Sequence, residues 1–326
     1  MSVARLAAIR EQWEAVPDPL LIAVLGPTGA GKSALALAIA ETIDGEIVNC
    51  DSLQIYRGFD IGAAKLPPAE RRGIPHHWID VASPTDWVSA GDYARGARAT
   101  IMEVLKRERV PVVVGGTGFY MRALFEGLFQ GPARDPALRR RLAHAEARRR
   151  GVLHRLLRRL DPASSARIHP RDVNKLIRAV EVCWLARRPM SELFRSGRDP
   201  LTGFRILKLG LDPPRLLLYE RINRRTETMF QQGLVDEVRS LLAAGVPETA
   251  RPLAAIGYLQ ALQYLRGETS LPEAIAAAQQ ATRRYAKRQW TWFRKEKDVI
   301  WLSGFGDDPE IQQKAISCVK AAMGAD

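Results

Sequence analysis

Residues 26–33, GPTGAGKS, constrain this chain more than any other stretch. They fit the pattern G-x-x-x-x-G-K-[ST]. A short apolar run, LLIAVL (Leu20–Leu25), precedes them, and an Ala- and Leu-rich stretch of helical character, 33–42, follows. Strand, glycine-rich turn and helix in that order make a phosphate-binding loop. Gly26, Pro27, Thr28, Gly29, Ala30 and Gly31 let the backbone fold tightly and aim its N–H groups inward, and the helix adds its positive end. Lys32 supplies a mobile cation for terminal phosphates, and the Ser33 hydroxyl suits Mg²⁺. The spacing predicts a di- or triphosphate site. It does not say which phosphate compound binds.

The loop sits in an α/β pattern. Further short apolar runs, at 46–50, 110–114, Arg205–Leu211 and 298–302, read as strands and alternate with helical stretches. The fold class expected is a P-loop NTPase-like parallel sheet flanked by helices. Between 134 and 203 the pattern changes to short amphipathic helices over 136–150, Val152–Leu160, 172–187 and Met190–Arg195, broken at Gly151, Pro162, Pro170 and Pro189. This reads as an all-helical insertion. It interrupts a core of 18–133 and 204–305, and 306–326 form a helical tail. Longer helices are expected over 213–231, 234–244 and 273–293.

The net charge of +13 is uneven. Residues 134–188 carry a net +11 and residues 283–297 a net +6, so the remainder is slightly acidic. Two basic segments on such a body suit a polyanion. In RRYAKRQWTWFRKEK the cations alternate with Tyr285, Trp290, Trp292 and Phe293, which suits tracking a backbone and stacking bases. At helical spacing Tyr285, Trp292 and Phe293 equally form a buried face. Cys50, Cys183 and Cys318 are too far apart for a zinc site and too few for a disulfide scaffold. No apolar run spans a bilayer, and MSVARLAAIR holds no secretory signal, so a cytoplasmic protein is expected.

Gly115, Gly116 and Thr117 follow the 110–114 strand, where a nucleotide-hydrolysing motor carries a metal-binding Asp. Asp51 stands at the end of the second strand, facing the phosphate loop across the carboxyl edge where ligands bind in open α/β sheets. It either accepts a proton from an incoming nucleophile or caps a turn.

Beyond the loop, DSLQIYRGFDIGAAK (51–65), IPHHWID (74–80), VGGTGFY (114–120), RIHPRD (167–172), IGY (256–258) and ATRRYAKRQWTWFR (281–294) resemble, in order, the tRNA dimethylallyltransferases. The resemblance implies transfer of a dimethylallyl group from dimethylallyl diphosphate to N6 of the adenosine 3′ of the anticodon in tRNA, with Mg²⁺ as cofactor. The other readings of the residues are a P-loop kinase of a small acceptor, an enzyme prenylating free adenine nucleotides, and a non-catalytic RNA-binding protein. By the resemblance Asp51 accepts the N6 proton and Thr117 lies near the transferred carbon. Lys32, Arg221 and the loop amides hold the departing diphosphate, and Ser33 holds the metal. It further implies tRNA contacts at Asp51, Ser52, Leu53, Gln54, Thr117, Arg139, Asn174, Lys175, Leu176, Ile177 and Arg178. The target base is expected to flip from its stack. Arg171, Ala254 and Leu259 depart from the family pattern, and the resemblance carries no tRNA contact there. The pair His76-His77 reads as structural. A monomer without protein partners or membrane contact is expected.

Overall fold

The computed structural model describes residues 18–195 and 197–324. MSVARLAAIR and the last two residues of the expected tail lie outside them. The described chain divides into two compact units, one of residues up to 124 and from 202, the other of 125–201. The second unit starts at Phe125, ahead of the expected 134, because the segment after Leu124 bonds within it: Leu201 N donates to the Phe125 carbonyl at 2.9 Å.

In the first unit a six-stranded sheet has the order β3-β2-β4-β1-β5-β6, with every pairing parallel. The strands are β1 (Leu20–Leu25), β2 (Gly45–Asn49), β3 (His76–His77), β4 (Val110–Gly115), β5 (Arg205–Leu211) and β6 (Val299–Leu302). β1 is buried along its whole length because neighbours flank it on both sides and helices cover both faces, which is why its sequence is apolar without alternation. Helices α1 (Lys32–Thr42) and α2 (Ala90–Lys106) alternate with the strands, and α3 (Gly118–Phe125) follows β4. Leu20, Ile22 and Val24 pack against Leu35, Ala36 and Ile39 of α1.

The C-terminal helix, Pro309–Met323, also joins this core. Ile311, Ala315 and Val319, spaced by four, are buried against the sheet, so the helix of the expected tail packs into the first unit. A second cluster gathers Ile55, Phe59, Phe230, Leu234, Val238 and Tyr258. Glu237 pins the loop there, since its carboxylate accepts from the backbone N–H of Asp60 at 3.1 Å and Ile61 at 2.7 Å.

The second unit is all helical: α4 (Pro136–Arg148), α5 (Val152–Leu160), α6 (Pro162–Arg167), α7 (Val173–Ala186) and α8 (Met190–Arg195). Leu142, Leu153, Leu157, Leu176, Val180 and Cys183 form its core. α9 (Arg215–Gln231), α10 (Leu234–Ala243), α11 (Tyr258–Leu265), α12 (Leu271–Phe293) and α13 (Pro309–Met323) complete the first unit.

Candidate functional site

Because all strands run parallel, their carboxyl ends share one edge and deliver the phosphate loop after β1, Asp51 after β2 and Thr117 after β4. The loop, Asp51 and Gly116, next to Thr117, line one cleft of ≈ 650 Å³. The phosphate loop ends at Gly31, whose φ of 85° lies in the left-handed region. No side chain caps the N-terminus of α1, and Leu35 is the first residue whose N–H closes a helical turn, at 3.1 Å to the Gly31 carbonyl. The amides of Lys32, Ser33 and Ala34, at the start of the helix, are therefore open to an anion. A Cβ at Gly31 would meet Asp307 Oδ1 at 2.7 Å, and Gly306 N donates to the Ala30 carbonyl at 2.8 Å, so the turn after β6 supports the loop from behind.

Three cationic side chains line the loop end of the cleft: Lys32, Arg221 and Arg225. Lys32 Nζ donates to the Pro27 carbonyl at 2.8 Å. Burial brings its pKa down to about 8, with Arg225 pushing the same way and Asp51 opposing. Arg225 Nη2 donates to Thr28 Oγ1 at 2.7 Å, while its Nε is buried with no hydrogen-bond partner. An orphaned guanidinium donor beside a lysine and open amides fits an anion of two or more phosphates. Arg221 donates to Asp307 Oδ1 at 2.7 Å and lies over the Phe305 ring.

At the other end, Asp51 Oδ1 accepts from Leu53 N at 2.8 Å and from Gln54 N at 3.4 Å. The turn-cap reading of Asp51 is therefore real, but it occupies one oxygen and leaves Oδ2 for chemistry. Thr117 Oγ1 accepts from Ser52 N at 3.1 Å, tying the ends of β2 and β4 together. Gly115 is required for that approach, since a Cβ there would lie 2.1 Å from the Cys50 carbonyl oxygen. Neighbouring Cys50 is no nucleophile, because burial pushes its thiol up to about 12. Leu53, Met229, Phe230 and Leu234 give the cleft an apolar wall.

A family model described as IPP transferase matches residues 54–296. The tRNA dimethylallyltransferase of Solibacter usitatus (strain Ellin6076) is 59% identical over 304 residues, covering 93% of this chain and 99% of the relative. The chain belongs to the tRNA dimethylallyltransferase (IPP transferase) family. That of Koribacter versatilis (strain Ellin345) is 53% identical, covering 94% and 99% of the two chains. Among solved structures, the tRNA isopentenylpyrophosphate transferase of Bacillus halodurans superposes with a TM-score of 0.68 at 35% identity, covering 94% of this chain and 95% of the other. A eukaryotic dimethylallyltransferase acting on tRNA gives a TM-score of 0.81 at 26% identity, covering 94% and 80%.

Several expected residues have other work to do. Gln54 spends its amide nitrogen on the carbonyls of Ala63 at 3.0 Å and Ala64 at 3.2 Å, which leaves its oxygen for a ligand. In α7, Asn174 and Lys175 are exposed, whereas the side chains of Leu176 and Ile177 are buried in the helical core. Arg139 and Arg178 both donate to Glu181 Oε2, at 2.9 and 2.8 Å, and Glu181 is 0% exposed. Glu146 and Asp161 are likewise buried as backbone caps. Three carboxylates of the helical unit, Glu146, Asp161 and Glu181, are thus withdrawn from its surface, while Glu126 and Glu192 stay partly exposed.

Arg225 and Gln289 were not singled out from the sequence, yet Arg225 lines the cleft and Gln289 Oε1 accepts from Thr28 N of the phosphate loop; Tyr285, one of the interleaved aromatics, also lines the cleft. The signal for Arg225 was its position four residues after Arg221, on the same helical face. Of the interleaved aromatics, Trp290 and Phe293 are buried in the core and Trp292 lies under the Arg122 guanidinium. His77 pairs with buried Glu46 at 2.6 Å, and its neighbour His76 lines the cleft.

Proposed function

We propose that this protein transfers the dimethylallyl group of dimethylallyl diphosphate to N6 of the adenosine 3′ of the anticodon in tRNA. The observation that carries this reading is the cleft itself: a cationic, amide-lined part with an unpartnered Arg225 donor, shared with the Asp51 carboxylate, beside which Thr117 Oγ1 accepts from Ser52 N. The diphosphate takes the cationic part and the adenine amine meets Asp51. The bond from N6 to the allylic C1 forms as the bond from C1 to oxygen breaks. Diphosphate leaves with the electron pair, and Asp51 Oδ2 accepts the N6 proton. Lys32, Arg221, Arg225 and the loop amides act on charge that grows on the leaving group, where fixed donors are most effective. The wall of Leu53, Met229, Phe230 and Leu234 suits a short hydrocarbon and keeps water from a delocalised carbocation.

Among the described residues no group of three His, Cys, Asp or Glu side chains forms a metal cage. A lone hydroxyl, Ser33, beside a diphosphate seat fits Mg²⁺, which keeps its waters and binds mainly through phosphate oxygens. When bound, it neutralises diphosphate charge. The exposed arginines of the helical unit, with Asn174 and Lys175, supply the backbone-contacting surface for tRNA. The tRNA substrate argues for the cytoplasm.

The test is to incubate the protein with unmodified tRNA and radiolabelled dimethylallyl diphosphate, then digest the RNA. Label on adenosine is expected. Label appearing only on free adenine nucleotides, or phosphoryl transfer from ATP to a small acceptor, would overturn the reading.

A further inference from the structure

One side chain joins the two ends of the cleft without belonging to either. Gln289, on α12, is 5% exposed. Its Oε1 accepts from the backbone N–H of Thr28, in the phosphate loop, at 2.7 Å. Its Nε2 donates to the Gly116 carbonyl, in the turn that carries Thr117, at 2.8 Å. Both ends of the amide are thus spent on backbone, and on two loops that no covalent neighbour connects.

Gly116 has no side chain because there is no room for one: a Cβ would lie 2.3 Å from Gln289 Nε2. Thr28, held through its amide by Gln289, holds Arg225 in turn through its hydroxyl. From the far side, Thr117 Oγ1 meets the backbone beside Asp51. A continuous run of hydrogen bonds therefore links the leaving-group end to the base end, and Gln289 is its middle.

We propose that Gln289 is a positioning residue that fixes the separation between the diphosphate-holding loop and the turn bearing Thr117. It sets how far the allylic carbon stands from the adenine amine. It touches neither substrate. Its near-complete burial and doubly engaged amide exclude reading a base or binding a phosphate. A neutral amide suits the task because the Thr28 N–H needs an acceptor and the Gly116 carbonyl needs a donor. Glutamate and lysine each satisfy only one side, and either would add a charge to a site already balanced between Lys32, Arg225 and Asp51.

The inference rests on the prenyl-transfer reading, so the wild-type protein is assayed alongside. Single-turnover transfer from labelled dimethylallyl diphosphate to unmodified tRNA is measured at saturating substrates for wild type, Gln289→Met and Gln289→Glu. Rates are normalised to active sites counted by pyrophosphate release. Gln289→Met keeps the volume and removes both bonds. Its rate is expected to fall about tenfold to hundredfold, as for a misplacement of order 1 Å. Its half-saturating concentration of dimethylallyl diphosphate should stay within about threefold of wild type, the signature of an interaction that matters at the transition state.

Gln289→Glu keeps the acceptor for Thr28 but opposes the Gly116 carbonyl with a carboxylate. Its rate relative to wild type should rise as pH falls and the acid regains a proton to donate. It also serves as the readout if Gln289→Met does not fold. A Gln289→Met rate per active site equal to wild type, or a pH-independent ratio for Gln289→Glu, would overturn the proposal. A wild-type protein that transfers no label would instead overturn the reading beneath it.

Discussion

Replacing Asp51 with asparagine separates its two duties. Oδ1 accepts the amides of Leu53 and Gln54, so Asp51→Ala loses a turn cap as well as a base. Loss of such a cap costs about 1 kcal/mol. Loss of a general base lowers the rate roughly 10²–10⁴-fold, or about 3–5 kcal/mol in the barrier at 1.36 kcal/mol per tenfold. Asparagine retains a carbonyl oxygen for the cap but cannot take the proton. Asp51→Asn should therefore unfold in urea within about 0.5 kcal/mol of wild type, as an unperturbed polar site does, while transfer in a single-turnover assay falls by the full factor. Asp51→Ala should show the same rate loss together with the stability loss. Filter binding should find tRNA affinity unchanged in both. An Asp51→Asn protein turning over at the wild-type rate would refute the proton-acceptor role, and one as unstable as Asp51→Ala would refute the cap.

Three further outcomes are expected. Lys32, held at about 8 by burial, lies below its ordinary 10.5, so carrying its charge in the folded protein costs stability below about pH 8, and that cost is relieved as pH rises toward 10.5. Diphosphate favours the charged form, so the KM for dimethylallyl diphosphate should climb above about pH 8, and Lys32→Arg should flatten that climb in a KM–pH profile. Arg225→Met removes a charged donor worth about 1.5–3 kcal/mol, so the Ki of inorganic pyrophosphate should rise roughly tenfold to hundredfold in inhibition assays. Glu181→Gln leaves Arg139 and Arg178 facing a neutral amide. With Arg178 35% exposed the loss is expected at the low end for a broken buried pair, about 3 kcal/mol, read by urea denaturation, with the dimethylallyl diphosphate KM unchanged because Glu181 lies in the other unit.

The sequence made local features legible and left distant ones hidden. A run such as Leu20–Leu25 followed by the phosphate loop announces itself, because strand, turn and helix are contiguous and each has its own residue preferences. Asp51 and Thr117 were legible for the same reason, as the first polar residues past a strand end. β3 was not, since His76–His77 have no apolar run of their own and pair only because β2 offers an edge at Ile47 and Val48. α11 and α3 start behind or at glycines rather than capping serines or aspartates, so the usual start signal was missing. The C-terminal helix carried apolar residues every four positions at 311, 315 and 319, a buried stripe readable in hindsight. Arg225 and Gln289 reach Thr28 across 197 and 261 residues of chain, and no local pattern encodes a hydrogen bond between segments so far apart.

The seating of the phosphate loop has a consequence for how the protein is made. Residues 26–33 leave the ribosome long before their supports, since the amide that braces Ala30 belongs to Gly306 and the side chain that grips Thr28 belongs to Gln289. The phosphate loop thus acquires its full footing only once residue 306 has been made. A polypeptide that stops before residue 289 lacks both of these supports.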